Sequence, residues 1–305
     1  MNVATGCTHG CKFCYVPSTP NIRTRQQMLS DRANVEDSQR EWGSYLLYRD
    51  DLPERLARKL DRKRTWKETE RGRGVVMISS GTDCYQDRRT SQITRESVIE
   101  LVNHNIPVRI LTRSPAVTRD VDVYKAAGDL VRVGSSIPTL DDEQARALEP
   151  GAPVPSARLK ALETLSDEGV TVYVSMSPTY PTQEKEDMRD LLQTFHDRLD
   201  PEVVFHEPIN PRGQNFDMTV NAARDVGQEE LADELEKLKD KEYWMEYSLD
   251  QMRWAEELSE DIGIDVHVWP DKQVVNALDG DEKRKWSEQI EAVSPEKIPD
   301  VTLST

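Results

Sequence analysis

Short apolar, β-branched segments alternate along the chain with segments whose apolar residues recur at helical spacing. The strand-like segments are residues 75–80, 108–112, 130–136, 170–175, 203–206 and 264–269. The helical patterns are residues 91–103, 121–127, 157–167, 184–199 and 228–262. Alternation of this kind predicts βα units and a parallel sheet. With residues 2–5 as a first strand, it predicts an α/β fold, a partial (β/α)6-type TIM barrel.

The same pattern predicts two regions in the 305 residues, which are enough for a substantial core. Residues 1–220 form the predicted barrel core. Residues 221–305 form a mainly helical C-terminal extension, whose last strand, near 264–269, closes or flanks the barrel. The extension is acidic, with 23 Asp or Glu against 10 Lys or Arg.

Net charge argues against some classes of partner. The chain carries −16 at neutral pH, which makes it a poor electrostatic match for long nucleic acid. Residues 53–73 are the exception, with nine Lys or Arg; this stretch is interpreted as a solvated helix face, with a phosphate contact as the alternative. No stretch has the roughly 18–20 apolar residues of a membrane span, and the N-terminus lacks a signal-peptide pattern. We therefore expect a cytoplasmic protein without a membrane partner.

Three of the four cysteines fall within eight residues, as Cys7, Cys11 and Cys14. Three thiolates at this spacing can bind three irons of a [4Fe–4S] cube and leave the fourth iron open to a small molecule. A structural zinc site is the main alternative, and it would need His9 and Cys84 as further ligands. A disulfide scaffold and a four-thiolate electron-transfer cluster fit the cysteine count and spacing less well.

Polar residues follow the predicted strands at the edge where the chemistry of barrels collects. The candidates after the second to fifth strands are Ser79, Ser80, Gly81, Thr82, Asp83, Arg113, Ser135, Ser136 and Ser175. The sixth strand leads into His206, Glu207, Asn210 and Arg212. These four could bind a polar substrate or move protons, although a capped turn would also explain them.

Together these stretches resemble the radical S-adenosylmethionine (SAM) superfamily, and within it the spore photoproduct lyase-like branch. The resemblance covers roughly residues 2–181. It rests on the cysteine loop at residues 6–15, the Thr-Asp stretch at 82–83, the Ser-x-x-Thr strand end at 136–139 and the Glu-Pro-Gly-Ala-Pro segment at 149–153.

The resemblance implies roles for individual residues. Cys7, Cys11 and Cys14 would hold the cluster, and Tyr15 would lie beside the adenine of SAM. Residues 79–83 would lie near the SAM amino group, and Arg113 would pair with its carboxylate where family members often have Lys. Ser135 or Ser136 would meet the carboxylate or ribose, and Ser175 belongs to the same expected set. The motif around Glu149 also admits a simple ion pair with Arg158 that fixes its loop.

Cys84 departs from the branch, because it stands a few residues beyond the position of the hydrogen-donating cysteine of the lyase. A hydrogen donor, an iron ligand, a substrate-facing group and a small buried bystander all remain open for it, and the first is slightly favoured.

The implied activity is reductive cleavage of SAM to a 5′-deoxyadenosyl radical, with a flavodoxin- or ferredoxin-like protein as the electron donor. The expected substrate is a small polar molecule, nucleotide- or sugar-like. DNA or RNA photoproduct repair is the first alternative, and a non-catalytic iron–sulfur protein is the second. Sulfur insertion from a second cluster is disfavoured, because only Cys84 remains as a thiolate.

Overall fold

A curved parallel sheet carries the fold. In the computed structural model, which describes residues 1–63, 65–69, 72–211, 213 and 215–293, six strands form this sheet in the order β10-β9-β8-β7-β6-β5. All neighbouring strands in it are parallel. The strands of the described chain are β1 Ala4–Gly6, β2 Leu46–Tyr48, β3 Glu68–Thr69, β4 Gly72–Arg73, β5 Val76–Ile78, β6 Val108–Leu111, β7 Val131–Ser136, β8 Val172–Thr179, β9 Val204–Pro208 and β10 Val266–Val268.

Helices cross between successive strands, as parallel pairing requires. They are α1 Pro20–Arg23, α2 Gln26–Ala33, α3 Leu52–Arg62, α4 Arg88–Asn103, α5 Val121–Ala127, α6 Asp142–Leu148, α7 Pro155–Asp167, α8 Lys185–Leu199, α9 Asn215–Asp225, α10 Glu229–Lys237, α11 Lys241–Ile262, α12 Lys272–Ala277 and α13 Gly280–Val293. The predicted α/β class with a partial barrel is confirmed. No helix in the described ranges is long and apolar enough to cross a lipid bilayer.

The core lies between the sheet and the helices that cover it. Strand residues such as Ile78, Ile110, Val133 and Val174 are completely buried, and they belong to one large apolar cluster with residues of α4, α7 and α8. A smaller cluster, centred on Leu29 and Trp42, packs beneath the cysteine loop.

The prediction that residues 2–5 form the first parallel strand is wrong. Met1 bonds to β5, since its amino group donates to the Met77 carbonyl, and its carbonyl accepts a hydrogen bond at 3.0 Å from Ser79 N, just beyond the strand. The chain then turns away, and β1 pairs antiparallel with β2. Gly6 allows this pairing, because its φ of +97° suits glycine and a Cβ there would lie 2.2 Å from the Tyr45 carbonyl oxygen.

The single long helix predicted over residues 228–262 is also wrong, because two helices occupy this region. α10 ends at Lys237, and Asp240 begins α11 by accepting hydrogen bonds from the backbone N–H groups of Glu242 and Tyr243, each at 3.0 Å. An aspartate at this position favours a helix start over a helix interior. β10, in the predicted extension, pairs with β9 at one edge of the sheet.

Candidate functional site

A cavity of about 520 Å³ opens at the carboxyl edge of the sheet. The ends of β5, β6, β7, β8 and β9 contribute to its wall, together with the cysteine loop after β1. Of the residues predicted from the sequence, it brings together Cys7, Cys11, Cys14, Tyr15, Ser79, Ser80, Gly81, Thr82, Asp83, Arg113, Ser136, Ser175, Glu207 and Asn210.

The cysteine loop is held from two sides. On the side of β5, the side-chain oxygen of Gln86 accepts hydrogen bonds from the backbone N–H of Thr8 at 2.6 Å and from its hydroxyl at 2.9 Å. The Thr82 hydroxyl donates to the carbonyl of Gly6. These bonds attach the start of the loop to the end of β5 even though β1 does not join the parallel sheet.

On the other side, the loop rests on the segment that follows α6. Lys12 N donates to the Leu148 carbonyl at 2.8 Å, and Gly151 N donates to the His9 carbonyl at 3.0 Å. A Cβ at Gly151 would lie 2.3 Å from the Thr8 carbonyl oxygen, so this close approach requires glycine. The Glu-Pro-Gly-Ala-Pro segment therefore supports the cysteine loop directly.

None of the three cysteines of the loop is in a disulfide, so each sulfur can serve as a ligand. Burial raises the pKa of Cys7, Cys11 and Cys14 to about 12, and at Cys7 the Asp83 carboxylate adds to the effect. In the described part of the chain, no three His, Cys, Asp or Glu side chains converge as they would around one metal ion. An iron–sulfur cube places each thiolate on a different iron, so the spread of the three thiols is compatible with it.

Asp83 uses its oxygens within the protein. One oxygen accepts hydrogen bonds from the Thr112 hydroxyl at 2.7 Å and from Tyr85 N at 2.8 Å. The other accepts from Arg113 N at 2.7 Å and lies 3.5 Å from His9 Nδ1. Asp83 thus joins the end of β5, the end of β6 and the cysteine loop.

Arg113 lines the cavity, and its guanidinium forms an ion pair with a buried carboxylate. Its Nε is 3.2 Å from a carboxylate oxygen of Glu149, which also contacts Arg158. Burial is the largest single effect and lowers the pKa of Arg113, but the negative groups around it, Glu149 first among them, together bring the pKa above its ordinary value. The guanidinium also lies over the ring of Phe13, 5.6 Å from its centre.

Arg158 completes this group, whose three side chains we call the Glu149 cluster: Arg113, Glu149 and Arg158. The side chains of Glu149 and Arg158 are completely buried. Arg158 also donates to the Ser136 carbonyl at 2.9 Å and to the Pro153 carbonyl at 2.6 Å. The predicted ion pair between Glu149 and Arg158 is present, and it includes a third member that the sequence did not reveal.

Three predicted residues do not line this cavity. Cys84 is completely buried in the apolar cluster, with its sulfur 4.0 Å from the Leu111 carbonyl oxygen. Ser135 and His206 are buried, whereas their neighbours Ser136 and Glu207 line the cavity. Successive strand residues point to opposite faces of a sheet, which explains both cases.

The His206 side chain has a hydrogen-bond partner on the side of the sheet away from the cavity. Its Nε2 is 3.2 Å from the Thr179 hydroxyl, and burial lowers its pKa to about 3, so the ring is neutral. Arg212, the fourth residue predicted to bind substrate, lies outside the described residues.

Several cavity residues were missed by the sequence analysis. Ser177 and Pro178 follow Ser175 along β8, and the two-residue period of a strand could have indicated Ser177. Phe13 stands inside the cysteine motif. Trp42 comes from the connection between α2 and β2, and nothing in its local sequence indicates a place at the cavity.

Comparisons with known proteins agree with this arrangement. The sequence model of the radical SAM superfamily matches residues 1–195. The chain is 33% identical over 224 residues to uncharacterized protein ORF301 of Acidianus two-tailed virus, covering 71% of this chain and 69% of the relative. It is 25% identical over 182 residues to uncharacterized protein MJ0683 of Methanocaldococcus jannaschii, covering 59% and 60%.

The chain therefore belongs to the radical SAM superfamily, whose members are enzymes that use a [4Fe–4S] cluster and SAM. The resemblance inferred from the cysteine loop and the strand ends is confirmed.

Solved structures share the fold. A spore photoproduct lyase mutant with bound AdoMet and dinucleoside spore photoproduct aligns with a TM-score of 0.54 at 14% identity, over 88% of this chain and 74% of the lyase. Streptococcus suis SuiB bound to S-adenosylmethionine aligns with a TM-score of 0.51 at 13% identity, over 92% and 52%. In another alignment, the chain spans 58% of the lyase. At these identities the likeness establishes the fold.

The Glu149 cluster yields a prediction about stability. We expect Glu149→Gln to lower the free energy of unfolding by about 3 kcal/mol, because removing one partner of a buried ion pair leaves the other charge uncompensated. Urea denaturation under anaerobic conditions measures the change. The matched control is Glu163→Gln, whose partners Arg198 and Lys160 are exposed and whose loss should cost about 1 kcal/mol or less. Equal losses in the two variants would contradict the prediction.

Proposed function

We propose that this chain is a radical SAM enzyme in which Cys7, Cys11 and Cys14 hold the cluster and which acts on a small polar molecule, nucleotide- or sugar-like. The observation that carries the proposal is the meeting of the three thiols with the polar ends of five strands at one cavity. When bound, the cluster and SAM together supply a 5′-deoxyadenosyl radical that can take a hydrogen atom from an unactivated carbon. A flavodoxin- or ferredoxin-like protein would provide the electron.

Arg113 is the proposed partner of the SAM carboxylate. Glu149 pairs with its Nε, and Asp83 accepts a hydrogen bond from its backbone N–H, so the side chain is fixed at both ends. The Nε is ion-paired with Glu149, whereas the two terminal nitrogens form no hydrogen bond to a residue that the structure describes. A guanidinium fixed in this way binds a carboxylate at a low entropic cost.

The segment 79–82 is the proposed site for the SAM amino group. Gly81 N is hydrogen-bonded to the Asn2 side chain at 2.8 Å, which fixes the turn. Ser79 has a φ of +76°, a conformation that non-glycine residues rarely adopt and that concentrates at functional sites. Ser136 and Ser175 belong to the wall contributed by β7 and β8. Tyr15, which is 64% exposed, lines the same cavity and is the proposed neighbour of the adenine.

Glu207 and Asn210 are the proposed substrate-facing residues. They line the wall that β9 contributes, and Ser177 Oγ lies 3.5 Å from a Glu207 carboxylate oxygen. Apolar side chains, among them Phe13, Met77, Leu111 and Ile209, cover much of the remaining wall. A wall of this composition limits water around a reactive radical, while the polar groups orient the substrate.

The cysteines give the central test. Cys7→Ala, Cys11→Ala and Cys14→Ala should each abolish production of 5′-deoxyadenosine, because each removes one of the three iron ligands. The measurement is iron content and 5′-deoxyadenosine formation after anaerobic reconstitution with dithionite.

The matched control is Cys84→Ala. Because Cys84 is buried away from the cavity, this variant should keep its iron, its SAM cleavage and its product profile, and lose only a little stability. Retained 5′-deoxyadenosine in any of the first three variants would refute the cluster assignment. An altered product profile in Cys84→Ala would instead support the role of hydrogen donor for this thiol.

Arg113→Leu should lower the affinity for SAM about tenfold, the loss expected for one charge-assisted contact. Equilibrium dialysis with labelled SAM measures it on the reconstituted protein. Arg119→Leu is the control, because Arg119 follows on the same segment, is exposed and does not line the cavity. If Arg113→Leu binds SAM as tightly as Arg119→Leu does, Arg113 serves only as a partner of Glu149.

Repair of nucleic acid remains a second candidate because of one observation. Arg58, Lys59 and Arg62 on α3 are exposed, and among the described residues none of them forms an ion pair. A repair enzyme would bind a short duplex with an affinity that falls steeply with salt, and Arg58→Ala would reduce that slope by about 1. Fluorescence anisotropy measures the slope. Binding that is absent, or unaffected by Arg58→Ala, supports the small-molecule assignment.

A further inference from the structure

A second cavity, of about 390 Å³, adjoins the first. The two share Glu207, Pro208 and Asn210 at the end of β9, so the second cavity begins where the proposed substrate-facing residues stand. Its other walls come from α11 and from the segment after β10. Neither the cysteine loop nor the ends of β5 to β8 reach it.

Indole rings give the second cavity its apolar surface. Trp244 belongs to α11, and Trp269 follows β10, where its backbone N–H donates to the His206 carbonyl at 2.9 Å. Trp269 is 43% exposed, which is unusual for so large an apolar side chain held by a strand end. The exposed ring of Trp269 gives a planar ligand a surface to pack against, and Trp244 lines the cavity from deeper in the wall.

Two buried polar groups in its wall have no partner. Trp244, Ser248 and Met252 are spaced by four residues, so they share one face of α11. Trp244 is 5% exposed and Ser248 is 2% exposed, yet within the described chain Trp244 Nε1 and Ser248 Oγ form no hydrogen bond. Helix packing alone explains why Met252 is buried. It does not explain why the Trp244 indole N–H and the Ser248 hydroxyl are buried without partners, because buried polar groups are usually paired.

Two charged residues at the mouth of the second cavity, Asp271 and Lys272, differ in whether they have partners within the protein. Asp271 accepts hydrogen bonds from Asn210 Nδ2 at 2.9 Å and from Gln273 N at 2.7 Å, so it is engaged within the protein. Lys272, next in the chain, is exposed and forms no ion pair with any described residue. The wall of the cavity therefore holds one exposed cation, Lys272, and two carboxylates, Asp271 and Glu207, the latter at the junction with the first cavity. The unpaired Trp244 Nε1 and Ser248 Oγ lie buried in the same wall.

We propose that the second cavity is a recognition subsite for a planar heteroaromatic ring that carries hydrogen-bond acceptors and a negative charge. The ring lies against the indoles of Trp244 and Trp269, an acceptor atom of the ring meets Trp244 Nε1 or Ser248 Oγ, and Lys272 faces the charge. The inference rests on the proposed function, because it makes this ring the part of the substrate farthest from the thiols.

The test uses the indole N–H resonances of the reconstituted full-length chain, labelled with ¹⁵N at its six tryptophans. Orotate is the probe, since its ring is planar, accepts hydrogen bonds and carries a carboxylate. Dihydroorotate keeps these groups on a puckered ring, and uracil keeps the planar ring without the carboxylate. We expect orotate to shift the Trp244 and Trp269 signals, uracil to do so with about threefold weaker affinity, and dihydroorotate with about tenfold weaker affinity.

Variants assign the binding to this cavity. Trp269→Ala should weaken orotate binding about tenfold, as loss of one stacking surface does, and Lys272→Gln should weaken it about threefold. Trp254→Phe is the matched control, because Trp254 lies on the same helix as Trp244 but outside both cavities, and it should leave orotate binding unchanged.

The proposal is overturned if the Trp244 and Trp269 signals do not move, if dihydroorotate binds as well as orotate, or if Trp269→Ala binds as tightly as Trp254→Phe. These readouts require no SAM cleavage. Loss of 5′-deoxyadenosine production with intact indole shifts would count against the proposed function alone, and the reverse result would count against the subsite alone.

Discussion

A buried carboxylate between two guanidinium groups is the interaction on which the cavity depends. Glu149 is 1% exposed, and its carboxylate and the buried Arg158 guanidinium compensate each other's charge at that depth. The same carboxylate holds Arg113 at the end of β6. Because Leu148 and Gly151, on either side of Glu149, bond the backbone of the cysteine loop, the position of the thiols is set partly by this ion network. The loop thus gains a rigidity that its own irregular backbone does not provide.

The pleat of the strands decides which polar residues reach the cavity. At the ends of β7 and β9, Ser136 and Glu207 face it, while Ser135 and His206 are buried on the opposite side. A histidine on that side has to stay neutral, and His206 does so with Thr179 as its neighbour. Two adjacent polar residues in one strand therefore have different tasks, one at the ligand surface and one in the packing beneath the helices.

Much of this fold could be predicted from the sequence, because period-2 and period-3.6 patterns are local. The six strands and the cysteine motif follow from such patterns. The pairing of β1 with β2 could not be predicted, because it depends on the contact of Gly6 with Tyr45, which are distant in sequence. The place of Arg113 after a strand predicted that it would lie at the cavity. Its ion pair with Glu149 could not be predicted, because the two residues are 36 positions apart in the sequence. The start of α11 at Asp240 has a local signal in the sequence, an aspartate before a helical run.

The order of strands in the sheet repeats their order in the chain, and this has an evolutionary consequence. The cysteine loop, Arg113 and the serines of β7 and β8 precede residue 180, within the region that matches the superfamily, whereas the indole-lined cavity is built largely from residues 244–272. On the proposed assignments, radical generation and ligand choice are encoded by separate stretches of the gene. Mutation or recombination in the last third can therefore redirect the enzyme to another molecule while the chemistry inherited from the family is left intact.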